Sequence, residues 1–223
     1  MPSSHYEPNI QEYLDFVLSN SQRGDVNSVL SAIDKYASTH PFMHIGEEKG
    51  ASIEELMNQK PVQVMVELGG YLGYSAIRFA NQLPTTGHYY SFEISPEFAK
   101  VAGKVIEYAG LSSKVTIIIG EFKYTSKTFT EKYGVEKVDF VLIDHWKDAY
   151  LQDLKIIEKL QWLNIGTLVV ADNVLYPGVP EYKAYVEAQT ERYTSKMIHF
   201  KVRHASELDK VLDDALLVSE FRG

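Results

Sequence analysis

Two aspartates stand where apolar, strand-like runs stop: Asp144 in VDFVLIDHWKD and Asp172 in TLVVADN. In a chain that alternates strands and helices, ligands bind at the carboxyl ends of the strands, so both acids should face one crevice. Asn173 adds a third oxygen donor, and Lys147 follows Asp144 by three residues. Hard oxygen ligands on a partly open site suit Mg²⁺, which keeps positions for water or substrate oxygens, and Mn²⁺ accepts the same donors. Such a centre would favour deprotonation of an oxygen nucleophile. A lone aspartate at a strand end is ordinarily a turn or helix cap; the joint occurrence of Asp144, Asp172 and Asn173 is what points to a metal. His145 has no second histidine at ligand spacing and is not counted as a ligand.

Lys147 taken alone would be a solvated surface charge. Beside a divalent cation an ammonium is disfavoured by the like charge, so a lysine placed there can serve as a general base. Trp146 offers either a flat wall for an aromatic substrate or a packed core residue.

A second cluster lies upstream. The run Glu67-Leu68-Gly69-Gly70-Tyr71-Leu72-Gly73-Tyr74-Ser75 leaves an apolar strand and enters a helix. Glycines at such a turn let a ligand approach bare backbone, and Glu93, closing the next strand, is suited to ribose hydroxyls. The spacing departs from the full dinucleotide fingerprint, and there is no Walker lysine. An adenosyl ligand without phosphates, such as S-adenosylmethionine, is therefore favoured over a pyrophosphate-bearing one.

These residues need a frame. From Pro61 onward, PVQVMVEL, HYYSFEI, KVTIIIG, VDFVLID and TLVVAD read as strands, and helical periodicities at about 74–82, 96–109, 124–133, 149–162 and 178–190 alternate with them. The alternation predicts a parallel sheet. Ser95 as cap, Pro96 at the first helical position and Gly110 past the end punctuate one of these helices. The runs at 193–202 and 214–221, joined through HASELDKVLDD, predict a closing antiparallel hairpin. Upstream, Ile10, Tyr13, Leu14, Val17 and Leu18 have helical spacing, as do Val29, Ile33 and Tyr36 after Asp25, while Ser52 and Glu55 suggest a capping box opening a third helix. The expected organisation is a single domain over 1–223, with an N-terminal helical layer at 1–60 and an α/β core at 61–223.

Composition narrows the classes. The 223 residues are 45% hydrophobic, enough for a full core, and a net charge of −8 without basic runs argues against nucleic acid. There is no cysteine, hence no disulfide or thiolate site. No segment approaches the roughly 20 apolar residues of a membrane span, and the amino terminus lacks a basic start before an apolar stretch. A cytoplasmic protein with no membrane partner is expected.

The segments ELGGYLGYSAIRFA, FEISPEFA, KVTIIIG, VDFVLIDHWKDAYL, GTLVVADNVLYPGVP and SVLSAIDKYA resemble catechol O-methyltransferase, over about residues 24–190. The resemblance implies a Rossmann-like methyltransferase fold, with a mostly parallel seven-stranded sheet, a C-terminal antiparallel hairpin and helices on both faces. It implies a monomer that moves a methyl group from S-adenosylmethionine to one hydroxyl of a small-molecule catechol chelated by Mg²⁺. Asp144, Asp172 and Asn173 match the metal ligands and Lys147 the catalytic base. Pro177 and Trp146 match residues that gate and flank the catechol ring, with Asn173 and Lys147 also at the substrate. Glu67, Gly69, Tyr71, Ser75, Glu93 and Asp144 match the cofactor pocket, where His145, Ile94 and Trp146 lie along the adenosyl group. Met43 falls near the transferred methyl, touching cofactor and substrate, and Ile45 follows on the cofactor side.

Three departures stand out. Where the family carries a tryptophan gate, this chain reads His40-Pro41-Phe42, so the gate is either altered or replaced by Phe42. Phe122 and Lys123 occupy the positions of a serine and a glutamine around the adenine. The family glutamate at a catechol hydroxyl has no secure counterpart, Glu207 being the nearest acid. Other readings are a methyltransferase for a different vicinal diol or phenol, a silent S-adenosylmethionine-binding protein, and a dehydrogenase that uses NAD; the intact Asp144, Lys147, Asp172 and Asn173 weigh against the silent binder, and the missing pyrophosphate fingerprint against the dehydrogenase.

Overall fold

The computed structural model describes residues 9–40, 42–202 and 211–223. Three helices come first: α1 (Ile10–Ser19), α2 (Val26–Ala37) and α3 (Gly46–Asn58). Strand and helix then alternate through β1 (Val64–Leu68), α4 (Tyr74–Gln82), β2 (His88–Glu93), α5 (Pro96–Tyr108) and β3 (Val115–Ile119). The short helices α6 (Phe122–Thr125) and α7 (Phe129–Tyr133) precede β4 (Val138–Ile143), α8 (Tyr150–Lys159), β5 (Leu163–Ala171), α9 (Pro180–Ala188), β6 (Tyr193–Val202) and β7 (Leu212–Phe221).

The strands form one seven-stranded sheet in the order β3-β2-β1-β4-β5-β7-β6, parallel from β3 to β5 and antiparallel where β7 joins β5 and β6. This is the predicted architecture. The strand order reverses between β1 and β4, and at such a switch point the helices diverge and open a crevice above the strand ends. Both faces are covered. Along β4, Phe140 and Leu142 pack with Tyr13, Ile33, Ile53 and Phe79 on the face of the N-terminal helices, while Val141 and Ile143 pack with Tyr150, Leu154, Trp162 and Tyr182 on the other. Two buried faces explain why the strands read as unbroken apolar runs.

Several predicted boundaries hold through their own chemistry. Asp25 and Ser95 accept from the backbone N–H of Ser28 and Phe98 and cap α2 and α5. Gly110, at φ +82°, ends α5 with the Leu111 N–H returning to the Ile106 carbonyl.

Three expectations need correction. Helix α3 opens at Gly46, six residues before the supposed capping box, so Ser52 lies inside it and its hydroxyl donates to the Glu48 carbonyl. The helix expected over 124–133 is broken, because the Thr125 and Thr128 hydroxyls donate to the backbone carbonyls of Glu121 and Thr125 and compete with helical bonding. Strand β5 starts at Leu163 rather than Thr167; its pairing with β4 shifts register between Leu163 and Leu168, where Gly166 sits at φ +93° and hides the strand's periodicity. Among the described residues no helix is long and apolar enough to cross a membrane.

Candidate active site

A cavity of about 1170 Å³ opens above the carboxyl ends of β1, β2, β4 and β5, roofed by the segment before α3. Its two halves are built differently.

On the β1 and β2 side, backbone does most of the shaping. Gly69, at φ +101°, carries the chain past β4 so closely that a Cβ there would lie 2.5 Å from the Asp144 carbonyl. Tyr71 follows with φ 44°, a conformation that costs a non-glycine residue energy. Glu93 answers that cost: its Oε2 accepts from the Tyr71 N–H at 2.7 Å and its Oε1 from the Ser95 N–H at 2.7 Å. Burial pushes the Glu93 carboxyl above its ordinary pKa, and these backbone donors pull it back only in part. Glu93 lines the cavity, where a carboxylate is a suitable acceptor for ribose hydroxyls. Gly69, Tyr71, Ser75 and Ile94 line the cavity from these strand ends, His145 and Trp146 line it from the end of β4, and Phe98, Gly120, Phe122 and Lys123 also contribute. Phe122 is buried against Phe92 and Trp162, and the Lys123 ammonium pairs with Glu121.

Glu67 does not belong to this wall. It is 1% exposed, lies beneath the glycine turn and accepts from the Ser91 hydroxyl at 2.7 Å, so its expected contact with the cofactor is corrected to a place in the sheet. Burial pushes its carboxyl up to about 7; hydrogen bonding from Ser75 and Ser91 opposes the rise and the Asp144 charge adds to it.

On the β4 and β5 side, side-chain charges do the shaping. Asp144 leaves β4, and its Oδ1 accepts from Lys147 Nζ at 3.0 Å. Lys147 also donates to the Tyr150 hydroxyl at 2.7 Å, which in turn donates to the Asp172 carbonyl at 3.2 Å. Asp172 is buried, and its Oδ1 accepts from Asn173 N–H at 2.7 Å and from Lys49 Nζ at 2.5 Å. Burial and then the Asp144 charge push the Asp172 carboxyl above its usual range, against the pull of Lys49 and Lys147. Asn173 sits at φ 57°, and its Nδ2 donates to Asp214 Oδ2 at 2.8 Å.

That pattern fits a divalent cation. The Asn173 amide nitrogen is engaged, which leaves its carbonyl oxygen as the free donor, and the repulsion between Asp144 and Asp172 is the kind a bound cation relieves. The set is two carboxylates and one carboxamide; among the described residues no group of three or more His, Cys, Asp or Glu could hold a metal.

The other expected residues fall around these halves. Met43 and Trp146 are 54% and 61% exposed at the mouth, Ile45 is buried, and Pro177 lines the wall after Asn173. Phe42 lines the cavity and is packed against Tyr13, Tyr36 and Tyr71, largely buried in the N-terminal layer. His145 is held by Asp153 at 2.8 Å and stacked on Tyr150. Glu207 lies outside the described residues. Lys49, Tyr150 and Asp214 were not singled out by the sequence: a lysine in a charged helix and an aspartate in a doubled Asp213-Asp214 carry no local signal of burial.

Residues 23–214 match the family described as O-methyltransferase. The chain is 36% identical over 207 residues to catechol O-methyltransferase of Bos taurus, covering 91% of this chain and 73% of the relative. It is 34% identical to a probable O-methyltransferase of Mycobacterium tuberculosis, covering 94% and 91% of the two chains. Among solved structures, the O-methyltransferase TomG of Streptomyces achromogenes in complex with SAM superposes with a TM-score of 0.73 at 18% identity, covering 97% of this chain and 100% of that one. An O-methyltransferase of Bacillus cereus in complex with SAH gives 0.69 at 19% identity, with 97% and 94% covered. At these identities the two structures speak to the fold alone.

Proposed function

The chain belongs to the O-methyltransferase family, in its catechol O-methyltransferase-like group, and is an S-adenosylmethionine-dependent O-methyltransferase; from that premise we propose that it methylates one hydroxyl of a catechol held on a divalent cation, Mg²⁺ in the first instance. The observation that carries this reading is the meeting of Asp144, Asp172 and Asn173 with Lys147 at neighbouring strand ends.

Asp144, Asp172 and the Asn173 carboxamide oxygen would hold the cation, which when bound supplies Lewis-acid polarisation of the two acceptor oxygens. Lys147, in its neutral form, takes the acceptor proton at Nζ. Its contacts with Asp144 and Tyr150 fix that atom beside the metal ligands. Glu93 accepts from the ribose hydroxyls of the cofactor, while Gly69 and Tyr71 set the adenosyl group along β1. Met43, Trp146 and Pro177 wall the acceptor side and hold an aromatic ring in line with the methyl donor, and most of the rate gain comes from this positioning. The cationic donor and the anionic acceptor neutralise each other during transfer, so a cavity with apolar walls loses little by excluding water.

The test is methyl transfer from labelled S-adenosylmethionine to a simple catechol, with Mg²⁺ and then with excess chelator. Transfer that stops with the chelator and spares monophenols supports the reading. Chelator-insensitive transfer, or equal transfer to a monophenol, overturns it. A different vicinal diol is the second reading, favoured by the sequence His40-Pro41-Phe42 where the family has its tryptophan gate.

A further inference from the structure

Lys49 is 5% exposed, yet it carries a charge into the floor of the cavity. Its ammonium bridges two carboxylates on different strands: Asp172 Oδ1 at 2.5 Å and Asp214 Oδ2 at 2.7 Å. Asp214, fully buried at the start of β7, collects further donors from the turn after β5: Asn173 Nδ2 at 2.8 Å, Tyr176 N–H at 3.1 Å and Leu175 N–H at 3.3 Å. One lysine and one aspartate therefore grip both residues at the end of β5 from behind and tie them to α3, whose leading segment brings Met43 to the mouth.

We propose that Lys49, acting with Asp214, is a positioning residue of the metal centre. It fixes the Asp172 carboxylate so that Oδ2 is left for the cation, while Asp214 turns the Asn173 carboxamide so that its oxygen is left likewise. This inference rests on the metal-centre reading above. Partners that orient metal ligands from outside the coordination shell commonly change affinity by about 10–100-fold when removed. A bare charge effect has the opposite sign: deleting a positive charge beside a cation site strengthens cation binding.

The experiment is Mn²⁺ affinity, read from the electron paramagnetic resonance of the free ion, with S-adenosylmethionine affinity by calorimetry as the control. In Lys49→Met, positioning gives about tenfold or more weaker Mn²⁺ binding with cofactor affinity retained. Should burying two unpaired carboxylates prevent that variant from folding, the charge-balanced Lys49→Met/Asp214→Asn pair takes its place, with the same weakening expected. Unchanged or tighter Mn²⁺ binding in the folded variant overturns the role of Lys49. Absence of Mn²⁺ binding by the wild type overturns the metal-centre reading itself, and the two failures are told apart by that wild-type arm.

Discussion

The two halves of the cavity solve the same problem with different materials. On the β1 and β2 side the anchor is Glu93, whose oxygens are held by the main-chain N–H groups of Tyr71 and Ser95. On the β4 and β5 side the anchors are Asp144, Asp172 and Asn173, held chiefly by the side chains of Lys147, Lys49 and Asp214. Backbone donors cannot be titrated, and their geometry is fixed by the turn. Side-chain charges can be tuned against a cation and against a reacting proton, but they depend on one another, because a buried carboxylate deprived of its partner is costly. On the proposed roles, the β1 and β2 half should therefore be a steady binding surface, and the β4 and β5 half the place where chemistry and pH are felt.

Breaking the β4 and β5 half should cost most. Lys147→Ala removes the proposed base and should lower turnover by about 10²–10⁴-fold, the usual worth of general acid–base catalysis, while cofactor affinity stays close to wild type. Turnover at neutral pH within a factor of a few of wild type would remove Lys147 from that role. Breaking the adenosyl half should cost less and appear in a different quantity. Glu93→Ala deletes an acceptor for the cofactor hydroxyls and frees the N–H groups of Tyr71 and Ser95, so calorimetry should show S-adenosylmethionine binding weakened by about 10–100-fold, as expected for lost hydrogen bonds to a charged group. Mn²⁺ affinity should hardly move in that variant. Equal losses of both affinities would mean that the two halves are not separable.

The same contrast explains what the sequence revealed. Strand ends carry their signal locally, since an apolar run that stops at an acid is visible in one segment; the places of Asp144, Asp172 and Glu93 at strand ends were legible for that reason, as were the β-α alternation and, through its own residue type, the cap at Ser95. Lys49 and Asp214 were not, because nothing in GEEKGAS or LDDALL announces that one helix and one strand 165 residues apart will share an ion pair. The broken helix at α6 and α7 and the early start of β5 were missed through local competition: hydroxyls bonding back to carbonyls in the first case, a left-handed glycine in the second. The packing of Phe42 was not legible because its aromatic partners, Tyr13, Tyr36 and Tyr71, come from three separate segments.

The smallest expected effect sharpens the contrast, because it concerns a carboxylate that looks like part of the adenosyl half and is not. Glu67 lies under the glycine turn, away from the cavity surface, with its carboxyl raised from about 4.5 to about 7, by burial above all. Between those two values the folded protein keeps a proton that the unfolded chain has released, so stability falls as pH rises through that window and is level above it. At about 1.4 kcal/mol per pKa unit, ionised Glu67 would cost at most about 3.5 kcal/mol at pH 8. Glu67→Gln keeps an acceptor for the Ser91 hydroxyl and removes the charge. It should be more stable than wild type in urea unfolding at pH 8 by up to about that amount, less so at pH 6, and indistinguishable near pH 4.5. A stability difference that did not change with pH would mean that Glu67 does not titrate in this range. Weakened S-adenosylmethionine binding in the same variant would return Glu67 to the adenosyl wall; unchanged binding leaves Glu93 as the carboxylate of that half.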